Sequence, residues 1–167
     1  MINPWTDIKL EDYENHMKSA SVRQLQALER IMKSQLDCPI NSSVMILGVA
    51  GGNGLNHINP DIIKSVYGVD INREYLKECV KRYPKLNNIF TPILKDLIND
   101  DIKSLPIADI LIANLIIEYI GYDCFSKIIQ KVIPSDVSCV IQLNSDNCFV
   151  SNSPYVHVFK ELESIYK

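Results

Sequence analysis

The protein has 167 residues, of which 47% are hydrophobic and 22% charged, with a net charge of −3 and a pI of about 5.6. This composition is typical of one globular domain, and its mildly acidic balance disfavours duplex nucleic acid and anionic membranes as partners. No apolar run reaches the ~18 residues that span a bilayer, and no signal peptide is recognisable, so we expect a cytoplasmic protein. The five widely spaced cysteines favour reduced thiols over disulfides or a metal site.

Two helices are predicted before the first strand. Apolar residues recur at helical spacing over residues 10–17 and again over residues 22–36. Ser21, followed three residues later by Gln24, has the pattern of a capping box, so we place the break between the helices at residues 19–21. Three side chains within one turn of the first helix could line a site, although packing and solvation explain them more simply: Tyr13, Glu14 and His16.

A buried strand followed by a glycine turn is the central motif of the chain. Residues 44–49 form an unbroken apolar run, which is typical of a strand buried on both faces. The glycines within residues 48–54 allow a sharp turn and let a ligand approach the main chain. A strand, glycine turn and helix in this order present free N–H groups where α/β sheets bind nucleotides. A tight turn that binds nothing is the alternative, because short glycine motifs have many false positives.

Strands and helices alternate along the rest of the chain. Further strands are predicted at residues 66–70, 88–94, 108–114 and 137–142. This alternation predicts an α/β fold with a doubly wound, mainly parallel sheet, preceded by the N-terminal helices. Polar groups follow the strands at the sheet edge where such folds bind ligands, namely the glycine turn, Asp70, Asp96, Asn114 and Gln142.

The helices after the glycine turn are predicted from turn signals and apolar spacing. A short helix after Gly54 ends before Pro60 and leads into a turn at residues 61–65. Asn72 caps the next helix, and two more helices follow later in the chain. Their predicted apolar faces are Leu76, Cys79, Val80 and Tyr83, then Phe125, Ile128, Ile129 and Val132, and finally Tyr155, Phe159, Leu162 and Tyr166.

Two acids at strand ends are candidate ligand-binding residues. Asp70 closes the second strand beside the glycine turn, where a carboxylate can accept hydrogen bonds from both hydroxyls of a ribose. Asp96 follows the third strand, where a base edge would lie, and a helix cap or turn explains it equally well. His57 could reach the same pocket from the short helix, although a helix-terminal histidine is the simpler interpretation.

From residue 44 to about residue 142, more than half of the chain, the sequence resembles the core of class I S-adenosylmethionine-dependent methyltransferases. The family's motif acid-x-Gly-x-Gly-x-Gly falls on Gly48, Ala50, Gly52 and Gly54, so two of three glycines match and the acid is replaced. The resemblance implies a Rossmann-like core, S-adenosyl-L-methionine as cofactor and methyl transfer to a small-molecule acceptor. It implies that the cofactor is bound by Gly48, Ala50, Gly52, Asn53, Gly54, Asp70, Ile71, Asp96, Leu97 and Asn114.

Residues 114–119 occupy the position where the family places substrate and catalytic groups. Glu118 and Tyr119 are therefore candidate catalytic residues, acting as a base or orienting an amine or hydroxyl. The alternative is that Glu118 caps a turn while Tyr119 packs on a neighbouring helix. The Asn-Pro-Pro-Tyr tetrad of amino-group methyltransferases is absent, so no specific acceptor follows.

Two other functions remain open from the sequence. A nicotinamide-dependent oxidoreductase requires Gly-x-Gly-x-x-Gly, and the sixth position counted from Gly52 is His57. A non-catalytic cofactor-binding protein, or a fragment of an enzyme, is the second alternative. The family's sheet has seven strands, whereas five are predicted here and the final hairpin is missing.

The missing hairpin leads to a prediction about assembly. We expect one domain, with a helical segment at residues 1–38 that covers the cofactor, a cofactor-binding core at 44–142, and a loop and helix at 143–167. The fifth strand then becomes a sheet edge without lysine or proline to deter pairing. Either the last helix folds over the sheet, or a homodimer forms through residues from Val137 onward, and we predict the homodimer.

Overall fold

A five-stranded, all-parallel sheet forms the centre of the computed structural model, which describes residues 3–143 and 150–166. Its strands are β1 Ser42–Leu47, β2 Ile63–Asp70, β3 Phe90–Leu94, β4 Ile110–Asn114 and β5 Asp136–Val140. They lie in the order β3-β2-β1-β4-β5, and each pairs with its neighbours in parallel. The predicted α/β class and parallel sheet are confirmed. Within the described residues, no final strand hairpin follows β5.

Helices connect the strands and precede the sheet. The α-helices are α1 Leu10–Lys18, α2 Gln24–Gln35, α3 Arg73–Arg82, α4 Ile117–Ile120 and α5 Tyr122–Val132. Short 3-10 helices occur at Pro4–Thr6, Leu55–His57, Pro84–Leu86 and Ile102–Ser104, and a longer one occupies Val156–Ser164. None of the helices within residues 3–143 and 150–166 is long and apolar enough to cross a bilayer.

β1 runs through the middle of the sheet and is buried along its whole length. Val44 and Ile46 belong to the core cluster that includes residues of α2 and α3. Met45 and Leu47 belong to the cluster on the opposite face, with residues of α5. Because helices cover both faces, every side chain of this strand is apolar or small, which is why its sequence does not alternate.

The predicted capping box before α2 is wrong. Arg23 occupies the N-cap position with a φ of 54°, and its side chain makes no capping hydrogen bond. The hydroxyl of Ser21 instead donates to the carbonyl of Asn152, at 2.6 Å. A tertiary contact with the C-terminal segment has therefore replaced the local cap that the spacing suggested.

Two further local predictions also need correction, whereas the cap of α3 is confirmed. The predicted turn at residues 61–65 is wrong in its second half, because Ile63 already pairs with β1 and begins β2. Val80, predicted on the inner face of α3, is exposed, and Tyr75 is buried on that helix instead. Asn72 caps α3 as expected, since its side-chain oxygen accepts from the backbone N–H of Glu74 at 3.0 Å.

The last helix, Val156–Ser164, is a 3-10 helix, although its spacing predicted an α-helix. Apolar residues also recur at every third position, at Val156, Phe159, Leu162 and Ile165. In a helix with three residues per turn, side chains at this spacing line up on one side. The two central residues are buried in a third core cluster together with the N-terminal segment, and this packing satisfies the shorter period.

The two edges of the sheet differ in how they are protected. β3 carries Pro92, which cannot donate a backbone hydrogen bond and so deters further pairing. β5, at the other edge, exposes Val137 and Cys139. The buried residues of the last helix pack on the N-terminal segment. The alternative to the predicted homodimer, in which this apolar face covers β5, is therefore wrong.

Asp109, directly before β4, is hydrogen-bonded to Ser43 near the start of β1. Its carboxylate accepts hydrogen bonds from the backbone N–H and the hydroxyl of Ser43, both at 2.7 Å, and these bonds lower the pKa of Asp109. We predict that Asp109→Ala lowers the free energy of unfolding at pH 7 by about 1 kcal/mol. Because the pKa of Asp109 is lower in the folded state, this stabilisation is fully present above the unfolded value of about 4 and is lost as the pH falls through the lowered folded-state pKa. Urea denaturation at several pH values measures this.

The matched control for this prediction is Asp136→Ala, because Asp136 is exposed at the start of the neighbouring strand. Equal loss of stability in both variants, or a difference that persists at low pH, would contradict the role of the Asp109 carboxylate.

Candidate functional site

The glycine-rich loop, residues 48–54, turns sharply at the end of β1. Its alternate residues Gly48, Ala50, Gly52 and Gly54 all have positive φ, between 47° and 89°. Glycine adopts this region freely, whereas Ala50 holds it against its own Cβ. At Gly51, the fourth residue of the loop, a Cβ would lie 2.6 Å from the carboxylate of Glu14 and would displace that side chain. The loop is therefore folded tightly against α1.

Asp70 lies at the end of β2 and holds the loop in place. One carboxylate oxygen accepts from the backbone N–H of Ala50 and the other from that of Asn72, both at 2.8 Å. Burial raises the pKa of Asp70, while these backbone donors oppose the shift. Each oxygen retains a further lone pair, so the carboxylate can accept additional hydrogen bonds from a ligand.

A main cavity opens beside Asp70, outside the carboxyl ends of β1, β2 and β4. Its enclosed volume is about 100 Å³, and it widens towards solvent at its mouth. Seven of the predicted cofactor-binding residues line it, namely Gly48, Ala50, Asp70, Ile71, Asp96, Leu97 and Asn114. Sequence reasoning did not identify several of its other walls, which include Asn3, Trp5, Tyr75, Lys95 and Ile116.

Tyr75 contributes a polar atom to this cavity without a protein partner. Its hydroxyl is buried and makes no hydrogen bond within the described part of the chain. Burial raises the pKa of Tyr75, and the nearby Tyr13 and Asp70 raise it further, so the phenol is a proton donor at neutral pH. Its sequence signal was hidden, because Tyr75 lies one position before the predicted apolar face of α3.

Two of the strand-end polar residues already have partners. Asp96 accepts hydrogen bonds from the backbone N–H groups of Ile98 and Asn99, at 2.9 and 3.2 Å, so it caps a turn as well as lining the cavity. The amide of Asn114 exchanges two hydrogen bonds with Gln35 of α2, at 2.8 and 2.9 Å. Both side chains are thereby fixed in position.

A second cavity, the loop cavity, lies between the glycine-rich loop and the N-terminal helices. Glu14, Met32 and Asn53 line it, and it shares Tyr13 and Ala50 with the main cavity. Among its described lining residues Glu14 carries the only charge. The carboxylate of Glu14 is held by an ion pair with the guanidinium of Arg82, at the end of α3.

Gly52 and Gly54 serve the packing of the loop. A Cβ on Gly52 would lie 2.7 Å from the ring of Tyr83, and one on Gly54 would lie 2.4 Å from Met32. His57 follows the loop and pairs with Glu29 of α2 at 2.5 Å. Glycine at these two positions therefore makes room for neighbouring side chains of the protein itself.

A third cavity, the aromatic cavity, lies between α1, α4 and the last helix. It is lined by Glu118 and His16, and by five larger aromatic residues, namely Trp5, Tyr13, Tyr119, Phe159 and Tyr166. Tyr119 lines this cavity and the main cavity, so the two adjoin at its ring. Glu118 accepts a hydrogen bond from the backbone N–H of Gln142 at 2.6 Å. Tyr119 therefore lies at the junction of the two cavities, whereas Glu118 lines the aromatic cavity and not the main cavity.

The fold is shared with many solved methyltransferase structures. The N-methyltransferase NodS from Bradyrhizobium japonicum WM9 has a TM-score of 0.54 at 11% identity, over 81% of this chain and 80% of that protein. Phosphoethanolamine N-methyltransferase 1 from Haemonchus contortus, in complex with phosphoethanolamine and S-adenosylhomocysteine, has a TM-score of 0.55 at 11% identity, over 87% of this chain and 36% of that one. The chain therefore has the Rossmann-like fold of class I methyltransferases.

These comparisons establish the fold alone. No protein-family model matches the sequence, and no curated protein matches it significantly. Several other similar structures are matched over only 45% to 65% of their own length. The activity must be argued from the site itself.

The unpartnered hydroxyl of Tyr75 gives a prediction for the protein without ligand. Removing a buried polar group that lacks a hydrogen bond relieves its desolvation cost, so Tyr75→Phe should raise the free energy of unfolding by up to about 1 kcal/mol. Urea denaturation without ligand measures this, with Tyr122→Phe as the control because Tyr122 is 74% exposed. A loss of stability in Tyr75→Phe alone would mean that the hydroxyl has a stabilising partner.

Proposed function

We propose that the protein transfers a methyl group from S-adenosyl-L-methionine to a small-molecule acceptor. The observation that carries this proposal is the carboxylate of Asp70, which lies in the main cavity and holds the glycine-rich loop at Ala50. At this position it can accept hydrogen bonds from both ribose hydroxyls of an adenosyl group. The shared fold, including a methyltransferase in complex with S-adenosylhomocysteine, supports the same cofactor.

The residues of the main cavity fit an adenosyl group. The hydroxyl of Tyr75 is a buried donor without an acceptor in the described chain, as expected of a group that a ligand completes. Asp96 and Leu97 follow β3, beside the position proposed for the base. Ile71 and Ile116 add apolar walls that can cover an aromatic ring.

We assign the methionine end of the cofactor to the loop cavity, because it adjoins the main cavity at Gly48 and Ala50. The family's acid is replaced by Gly48, which removes one partner for the cofactor's ammonium group. We propose that Glu14 supplies the missing charge from α1, since it lines the cavity beside Gly48 and Ala50. Arg82 orients this carboxylate through their ion pair and neutralises part of its charge when the cofactor is absent.

The chemistry requires little from the protein beyond alignment. S-adenosyl-L-methionine, when bound, would supply a methyl group activated by its sulfonium, and an acceptor aligned opposite the carbon–sulfur bond would take that group as the thioether leaves. The aromatic and apolar walls exclude water, and Tyr119 borders both the cavity proposed for the cofactor and the cavity proposed for the acceptor. We assign to Glu118 and Tyr119 the orientation of the acceptor, and to Glu118 the role of base where the acceptor must lose a proton.

The oxidoreductase alternative is less well supported than methyl transfer. A dinucleotide fingerprint would require glycine where His57 lies, and this side chain is engaged with Glu29. A non-catalytic cofactor-binding protein remains consistent with the same cavities, and only a turnover measurement separates it from an enzyme.

Calorimetry with S-adenosylhomocysteine tests the cofactor. We predict micromolar or tighter binding by the wild type, no comparable binding of NAD, and about 1–3 kcal/mol weaker binding by Asp70→Ala, because ribose hydroxyls lose their acceptor. Asp70 also anchors Ala50 and Asn72, so circular dichroism must verify that the variant folds.

Tyr75→Phe provides a second variant that leaves these loop hydrogen bonds intact, and it should weaken binding by about 1 kcal/mol. Asp136→Ala is the matched control, since Asp136 is exposed on β5, the edge strand that is farther from Asp70. Affinity unchanged in both site variants would remove the main cavity from the proposal, and a preference for NAD would overturn the cofactor assignment.

We also propose that the protein forms a homodimer through β5. This edge exposes Val137 and Cys139, whereas the opposite edge is protected by Pro92. Sedimentation should find a dimer at micromolar concentration, and Val137→Lys should convert it to a monomer. Thr91→Lys, on the exposed face of the opposite edge strand, is the control. A monomeric wild type would contradict this proposal.

A further inference from the structure

The aromatic cavity has an unusual wall composition. Six of its twelve described lining residues carry rings, and these are Trp5, Tyr13, His16, Tyr119, Phe159 and Tyr166. No lysine or arginine is among those twelve residues. A cavity walled by rings and without cationic side chains is suited to a cationic ligand and unsuited to a phosphate or carboxylate.

The rings form one connected cluster around Trp5. The ring centroid of Trp5 lies 5.2 Å from that of Tyr119 and 5.8 Å from that of Tyr13, both edge-to-face. Phe159 adds a third neighbour at 6.5 Å, and Tyr166 extends the cluster from Tyr119 at 6.0 Å. Rings crossed at steep angles cannot all stack on one another, so the arrangement favours a small group surrounded by several rings.

A single carboxylate accompanies these rings. Glu118 is the only acidic residue among the described residues that line the aromatic cavity. One of its oxygens is held by the backbone N–H of Gln142, and the other is buried without a hydrogen-bond partner in the described chain. A buried carboxylate oxygen without a partner is costly, and a cation or an N–H donor in the cavity would complete it.

His16 adds no positive charge to the cavity at neutral pH. Its ring is buried 4.6 Å from that of Phe159, and its Nδ1 lies 2.7 Å from the hydroxyl of Ser153. Burial lowers the pKa of His16, so the imidazole is neutral at pH 7. The ring therefore forms part of the wall and does not repel a cation.

We propose that the methyl acceptor is an amine, held in the aromatic cavity in its ammonium form by the ring cluster and by the free carboxylate oxygen of Glu118. This assignment of the substrate class rests on the proposed methyl transfer. Tyr119 lines both this cavity and the main cavity, so the amine would lie next to the methyl donor.

The reaction balances with the groups named. The ammonium gives one proton to the carboxylate of Glu118, which frees the nitrogen lone pair. The lone pair forms the new bond to the methyl carbon, and the electron pair of the broken carbon–sulfur bond stays on sulfur, turning the sulfonium into a thioether. The product is a methylated ammonium, and Glu118 passes its proton to solvent.

Trp5 makes the cavity directly observable, because it is the only tryptophan in the chain. The test titrates the full-length protein with choline and, separately, with 3,3-dimethylbutan-1-ol, its uncharged isostere, while Trp5 fluorescence is recorded. Choline cannot give up a proton from nitrogen, so the titration measures recognition without the transfer step. We expect saturable binding of choline that is about tenfold tighter than that of the neutral compound.

Glu118→Gln tests the carboxylate. The variant keeps an oxygen for the N–H of Gln142 but removes the charge, so it should weaken choline binding about tenfold and leave the neutral compound unaffected. Glu163→Gln is the matched control, because Glu163 is exposed on the last helix. If Glu118→Gln fails to fold, the wild-type comparison of the two compounds still decides the proposal.

A thermal-shift titration with S-adenosylhomocysteine separates this inference from the proposed function. Equal binding of choline and its neutral isostere, or no response to choline in a protein that binds S-adenosylhomocysteine, would overturn the amine acceptor and leave the cofactor assignment standing. Selective binding of choline in a protein that does not bind S-adenosylhomocysteine would support the cation site and overturn methyl transfer.

Discussion

The site depends on the buried carboxylate of Asp70. Its two oxygens accept hydrogen bonds from Ala50 in the glycine-rich loop and from Asn72 at the start of α3. These bonds keep a non-glycine residue in the left-handed region, with a φ of 47°, and they fix the loop against the end of β2. Burying this charge is costly, and the raised pKa of Asp70 reflects that cost. Such strain and desolvation are typical of a position kept for binding.

Around this anchor, the N-terminal segment closes three adjoining cavities. Tyr13 of α1 lines all three cavities, and Trp5 lines the main and aromatic cavities. Glu14 lines the loop cavity, where its ion pair with Arg82 holds it. The last helix completes the aromatic cavity by packing on the same segment. The sheet thus supplies the fixed polar groups at its carboxyl edge, while segments outside the sheet determine the shape and charge of the aromatic cavity.

Ala50 and Glu14 together illustrate how this chain departs from the glycine motif of class I methyltransferases, whose fold it shares. The loop has Gly48 where the motif has an acid and Ala50 where the motif has a glycine. A comparison with the motif alone therefore counts two mismatches. In the folded chain, Asp70 holds Ala50 in the required conformation, and Glu14 brings a carboxylate to the same loop from α1. Asp70 and Glu14 are both distant from Ala50 in sequence, so their contacts with the loop exist only in the tertiary structure.

The class of fold, the five strands and seven of the residues that line the main cavity could be predicted from the sequence alone. Buried apolar runs mark parallel strands, and residues at their carboxyl ends, such as Asp70 and Asn114, must meet at one edge. Only the tertiary structure decided what surrounds them. Tyr75 and Trp5 carry no periodic or motif signal, the cap of Ser21 was replaced by a contact to Asn152, and the last helix adopted a period of three. These features depend on packing between segments far apart in the chain, which local spacing cannot encode.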